Sequence, residues 1–226
     1  MTTTPLKHRC VRGHVIQQWA VRLILLLSPV TLSLPAHAET WRVGVYAGQW
    51  ADTRLPHLPY NTATGRLSFD DSYLYSLVVS RHLMDTNIFF SGTSIGLRDA
   101  QLEWEGTAST HDGLQNHAEL TLGIMLRSRD INVGSFGNIN FGWANGFSYA
   151  LDKPDYEYGR TRERGLDTVQ FQYYMGFEAE YAHASWERFS VFTRLHHRSG
   201  IYGVISPSKT GSNILGVGAR LHLGKR

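Results

Sequence analysis

The sequence predicts an all-β chain, an eight-stranded antiparallel transmembrane β-barrel carried behind a removable export signal, and three observations predict it. Eight segments alternate apolar with polar residues at a period of two, the pattern of strands with one apolar face. Beyond the amino-terminal segment no stretch offers the ~20 apolar residues of a membrane-spanning helix. The first 38 residues have the three-part plan of a secretory signal.

The signal comes first. Lys7, Arg9, Arg12 and Arg22 precede an apolar run from Leu23 to Leu34, and Pro35-Ala36-His37-Ala38 follows it. Cleavage is expected between Ala38 and Glu39, leaving residues 39–226 as one barrel domain. Ser28, Pro29 and Ser33 interrupt the run, which is too short for a spanning helix. The signal holds four of the 22 Lys and Arg and none of the 19 Asp and Glu, so the mature chain has 18 bases against 19 acids, a net charge of −1. The basic character of the whole sequence thus belongs to the exported segment and makes no case for nucleic-acid binding. Cys10, the single cysteine, leaves with it, so stability must come from a core or a closed sheet rather than from disulfides.

The strands follow in chain order. Trp41, Val43, Val45 and Ala47 alternate with Arg42, Gly44, Tyr46 and Gly48; Tyr73, Tyr75, Leu77 and Val79 alternate with Ser72, Ser76 and Ser80. In the third segment Ala100, Leu102 and Trp104 alternate with Gln101, Glu103 and Glu105, and in the fourth Leu120, Leu122, Ile124 and Leu126 alternate with Glu119, Thr121 and Arg127. The fifth sets Phe141, Trp143, Phe147 and Tyr149 against Asn140, Gly142, Ala144 and Ser148. The sixth is the clearest, with Val169, Phe171, Tyr173, Met175, Phe177, Ala179 and Tyr181 on one face. The seventh sets Phe189, Val191, Thr193 and Leu195 against Arg194, His196 and Arg198, and the eighth sets Leu215, Val217, Ala219 and Leu221 against Gly216, Gly218, Arg220 and His222. An even strand count, tilted strands of ~9–11 residues and abundant Tyr and Trp for interfacial girdles suit a bilayer barrel.

Connection lengths agree with this plan. The links around 83–93, 127–137 and 182–187 are short, those around 50–70, 150–166 and 200–212 long, and that near 106–115 intermediate. With both termini in the periplasm the long links fall outside the cell. The alternative is a soluble periplasmic barrel with the apolar face packed inside. An eight-stranded barrel is too narrow to hold that many aromatic rings, which favours apolar rows facing lipid. Glu103, Glu105, Glu119, Glu178 and Glu180 with Arg42, Arg127, Arg194 and Arg198 then form an ion-paired plug in a narrow lumen, because buried charges must be paired. An open pore belongs to much wider barrels.

One constellation can carry chemistry: Leu195-His196-His197-Arg198-Ser199-Gly200 at the outer end of the seventh strand. His197 and Ser199 are two apart, so they share a face with Cα atoms about 6.8 Å apart at ~3.4 Å per residue. They continue the lipid-facing row of Leu195, where polar residues are costly if buried. A histidine there can deprotonate the serine hydroxyl for attack on an acyl ester. Read blandly, the two are interfacial polar residues at a strand end.

A lipid-facing His-x-Ser pair on a late strand of an eight-stranded barrel resembles the lipid A 3-O-deacylase family of PagL-like acyloxyacyl hydrolases. The resemblance is close in the last two strands and rests on alternation alone in the first six. It implies an outer-membrane hydrolase of ester-linked acyl chains, with lipid A or lipopolysaccharide of the outer leaflet as its partner and no cofactor. That family completes a triad with an acid on the following strand, yet no Asp or Glu occurs here after Glu187. Asn213, on the apolar-facing row of the eighth strand, is the replacement that can orient His197 through its amide oxygen. Gly200 stands where the family has an asparagine after the serine, and its backbone N–H can serve an oxyanion.

Other constellations rank lower. His111, Asp112, His117 and Glu119 match no standard ligand spacing, and they read as lumen hydrogen bonding rather than a metal site. Gly142-Trp143-Ala144-Asn145-Gly146 is a glycine-rich strand with no helix after it, so it is no phosphate loop. Two function classes therefore stay open: a lipid A esterase, and a small outer-membrane barrel with a structural or loop-presenting role. An acyltransferase with an apolar pocket in the lumen fits a charged lumen poorly.

Overall fold

The computed structural model describes residues 41–89, 95–154, 156–157, 169–207 and 210–224. The expected signal peptide, residues 1–38, and its cleavage site lie outside the described residues. The strands are β1 (Trp41–Ala51), β2 (Phe69–Phe89), β3 (Gly96–Gly113), β4 (Ala118–Arg127), the two-residue β5 (Ile131–Asn132), β6 (Gly137–Ala150), β7 (Phe171–His183), β8 (Phe189–Ser199) and β9 (Gly211–His222). Each long strand pairs antiparallel with its neighbour, β4 pairs with β6, and β9 returns to β1 through registers such as Val45↔Ala219. The hydrogen-bond ring thus closes through eight strands and leaves none of them an edge. β5 is a ladder within the link to β6, where Ile131 and Asn132 pair with Ile139 and Asn138.

Facing follows the predicted alternation. Val45, Leu122 and Leu221 on the apolar rows are 59%, 60% and 51% exposed, whereas their neighbours Tyr46, Thr121 and Arg220 are buried. The row from Phe171 to Tyr181 likewise faces out, with Gln172, Tyr174, Glu178 and Glu180 buried between. Ala100 departs from its row: it is buried although Leu102 and Trp104 beyond it are not.

Inside, carboxylates and guanidiniums interlock. Arg127 reaches Glu103, Glu178 and Glu180 at 3.2, 2.8 and 3.0 Å, Arg42 pairs with Glu103, and Arg220 grips Glu178 and Glu180. Arg194 meets Glu105 and lies 3.4 Å from Glu178. Apolar side chains share this lumen, in a cluster of Tyr46, Leu74, Val78, Phe192 and Ile214 and another of Met125, Ala144 and Tyr174. The two fillings meet where Arg194 lies over the Tyr46 ring and Arg220 over Phe192. The lumen is therefore a packed mixed core, as a narrow barrel requires.

Two connection lengths differ from expectation. The strands flanking the link near 83–93 run to Phe89 and resume at Gly96, so β2 and β3 reach 21 and 18 residues against 10 to 14 for the other barrel strands. Register shifts at His82/Met84 and Thr86/Ile88 let this hairpin continue, and the Asn87 amide oxygen takes up the backbone N–H of Asp99, which sits at φ 54°. The register shifts break the two-residue alternation there. At the other end β3 extends to Gly113, leaving four residues, 114–117, where an intermediate link was expected. The long first connection contains a short helix, α1 (Leu58–Ala63), anchored by the buried Leu58.

Candidate functional site

His197 and Asn213 face each other directly across β8 and β9, two positions in from the pair Ser199↔Gly211, with Arg198↔Ser212 between. Strand β8 places His197 and Ser199 on its outward row because Leu195 precedes them by two residues, and β9 does the same for Asn213 ahead of Leu215. All three are half-buried. Gly211 at φ 116° opens β9, and a Cβ there would sit 2.0 Å from the Arg198 carbonyl oxygen, so only glycine lets the strand begin opposite Ser199.

The hydrogen bonds define the state of the ring. His197 Nδ1 lies 2.6 Å from Asn213 Oδ1 and 3.0 Å from the backbone oxygen of Ser212. The second contact is to a carbonyl, which only accepts, so Nδ1 carries the proton and donates. The Asn213 amide cannot be reversed without loss, because its Nδ2 donates to the Thr53 oxygen at 2.6 Å. In the neutral ring Nε2 is then the basic nitrogen, as a general base requires. Thr53 comes from the first long connection, so chain segments 160 residues apart fix one imidazole.

Ser199 Oγ accepts the backbone N–H of Ile201 at 3.2 Å, and among the described residues no hydrogen bond joins it to His197. Ile201 and Tyr202 both lie in the left-handed region, at φ 46° and 52°. For a β-branched residue that conformation is strained, and such strain concentrates where a loop is held for function. Gly200 packs against this loop: a Cβ on it would lie 2.4 Å from the Ser206 oxygen and 2.7 Å from that of Pro207.

The lumen side of the same strand carries groups that the linear pattern did not single out. Tyr46 O–H and His196 Nδ1 are 2.8 Å apart, and His196 Nε2 lies 3.0 Å from Glu119. Glu157, from the connection after β6, reaches back to Arg198 at 3.1 Å and Gln172 at 2.9 Å. Glu157 has no strand periodicity around it, so nothing in its surroundings marked it as a lumen residue. Of the lower-ranked constellation, His111, His117 and Glu119 are buried together while Asp112 is exposed.

No protein-family model matches the chain, and no curated protein sequence does. Among solved structures it is similar to the crystal structure of the outer membrane enzyme PagL, with a TM-score of 0.52 and 12% identity over 80% of this chain and 98% of that one. It is also similar to the crystal structure of Neisserial surface protein A, NspA, at a TM-score of 0.46 and 11% identity over 81% and 96% of the two chains. The likeness to PagL shows the fold, an eight-stranded antiparallel barrel.

Proposed function

We propose that the chain is an outer-membrane esterase that removes an ester-linked acyl chain from lipid A, with Ser199 as nucleophile and His197 as its general base. The observation that carries this reading is the anchored imidazole. Asn213 Oδ1 and the Ser212 carbonyl together hold Nδ1–H and leave Nε2 basic on the row that also bears Ser199. Support for the setting comes from the outward apolar rows and from an open furrow of about 840 Å³ that includes Leu195, Leu215 and Val217, directly along the wall from the site. A bilayer brings such a surface its substrate by lateral diffusion, and residues 39–226 would reach it after loss of the signal peptide.

In this reading the Ser199 hydroxyl turns from the Ile201 amide to His197 when substrate binds. Nε2 takes the hydroxyl proton as Oγ attacks the ester carbonyl carbon. The tetrahedral oxyanion is met by backbone N–H of Gly200, and collapse breaks the ester bond as His197 returns the proton to the departing sugar oxygen. Water then hydrolyses the acyl-serine by the same proton path. The Asn213 amide orients the ring but stabilises imidazolium less than a carboxylate, which predicts a slow enzyme.

A second reading, a non-enzymatic barrel that presents its loops, has one observation in its favour: Ser199 Oγ is engaged by the Ile201 N–H. Mass spectrometry of lipid A from cells making matched, folded variants separates the two. The unmodified chain should release one acyl chain, Ser199→Ala and His197→Ala should release none, and Asn213→Ala should retain partial activity. Shortened lipid A from Ser199→Ala would refute the nucleophile, and intact lipid A from the unmodified chain would leave the loop-presenting role.

A further inference from the structure

The four-residue link between β3 and β4 gathers a second cluster, inside the lumen and separate from the outer-wall site. The His111 backbone N–H donates to the His117 oxygen at 2.8 Å, which sets the two inward side chains side by side. Their rings stack with centroids 4.2 Å apart and 13° between planes. His111 Nε2 lies 2.7 Å from Glu119 Oε2, and its Nδ1 is 2.9 Å from Gln115 Nε2.

His117 is 5% exposed, yet neither of its ring nitrogens has a hydrogen-bond partner among the described residues. The Gln115 amide oxygen, 1% exposed, has none either. Unsatisfied buried polar atoms are costly, and a leucine or phenylalanine would fill the same space without that cost. A buried imidazole with both nitrogens idle leaves a place for a partner that is not part of the chain. Ligand atoms of His111, His117 and Glu119 already lie within 4.8 Å of one another.

We propose that His111, His117 and Glu119 bind one divalent transition-metal cation of the zinc type. Imidazole nitrogen and carboxylate oxygen are the donors such cations take. The metal replaces the proton shared by His111 Nε2 and Glu119 Oε2 and gives His117 a partner. Once Nε2 holds metal, His111 Nδ1 must carry the hydrogen, and a turn of the Gln115 amide offers Oε1 to receive it. That single turn satisfies the orphaned oxygen and supplies the orienting contact that metal-bound histidines keep. Glu119 Oε1 is steadied independently by Ser148 Oγ at 2.6 Å and His196 Nε2 at 3.0 Å. Arg198, 3.8 Å from Glu119 Oε1, is itself met by Glu157 at 3.1 Å, which limits its repulsion of a cation. The short link 114–117 puts the site at one end of the barrel.

The test uses the untagged chain folded in detergent micelles. Zn2+ content is measured after equilibrium dialysis, and Co2+ binding is followed by visible absorbance. One ion per chain is expected, with tight binding lowered at least tenfold in His117→Ala and about tenfold in Gln115→Ala, which keeps all three ligands but loses the orienting partner. His117→Phe retains a stacked ring and should fold and lose the ion, so a folding defect in the alanine variant does not blunt the test. His183→Ala, at a half-buried histidine at the end of β7 and outside the cluster, should bind as the unmodified chain does. Folded chain that takes up no stoichiometric Zn2+ or Co2+, or unchanged binding in His117→Phe, overturns the proposal.

Discussion

Replacing Glu178 by glutamine should cost the barrel about 3–5 kcal/mol, the range for stranding a buried charge. Arg42, Arg127, Arg194 and Arg220 interlock with Glu103, Glu105, Glu178 and Glu180, four cations with four carboxylates, all but Arg42 nearly solvent-free. Glu178 is the hub: Arg127 Nη1 is 2.8 Å from Oε1, Arg220 grips both oxygens, and Arg194 Nε is 3.4 Å from Oε2. Glutamine keeps the shape but leaves four cations facing three carboxylates in a medium where an uncompensated charge is expensive. The control is the Arg129–Asp99 pair, 3.7 Å apart with side chains 65% and 73% exposed, where Asp99→Asn should cost no more than about 1 kcal/mol. Asparagine also tolerates the φ of 54° at that position. Adding Arg220→Gln to Glu178→Gln restores neutrality and should recover part of the loss. The assay is urea unfolding of chain folded into lipid vesicles, followed by tryptophan fluorescence, with heat-dependent gel mobility as the check on folding. A Glu178→Gln midpoint indistinguishable from that of Asp99→Asn would refute the reasoning and point to a hydrated, well-screened lumen.

Leu122, 60% exposed near the middle of β4, separates a bilayer barrel from a soluble one: Leu122→Arg should cost about 2–4 kcal/mol in vesicles and almost nothing if that wall faces water, read by the same unfolding measurement. Gly200→Ala drives a Cβ to within 2.4 Å of the Ser206 oxygen, so it should displace the loop after Ser199 and abolish deacylation while the unfolding midpoint stays near that of the unmodified chain. Intact mass of the protein from purified outer membranes should correspond to a chain beginning at Glu39; a retained amino terminus or a soluble periplasmic product would refute the export reading.

Facing was readable from the chain because a strand turns successive side chains to opposite sides whatever it pairs with. Val45 against Tyr46, or Leu122 against Thr121, needed only parity, and so did the shared outward row of His197 and Ser199. The closeness of Asn213 to His197 needed one assumption more, a hairpin register, and the pairing His197↔Asn213 agrees with it. Beyond that, local pattern carried no information. The extra length of β2 and β3 depends on register shifts that break parity, and the Thr53 oxygen that orients Asn213 comes from a loop whose path is set by where β1 and β9 meet. His111, His117 and Glu119 look unrelated to a ligand pattern in line, because their spacing is that of a tight hairpin rather than of a helix or a zinc loop. Only the pairing of β3 with β4 stacks the two rings and sets the carboxylate against them. Periodicity is a local property of the backbone and survives in one dimension, whereas register, closure and the partners of a buried charge are contacts between distant segments that exist only once the barrel has formed.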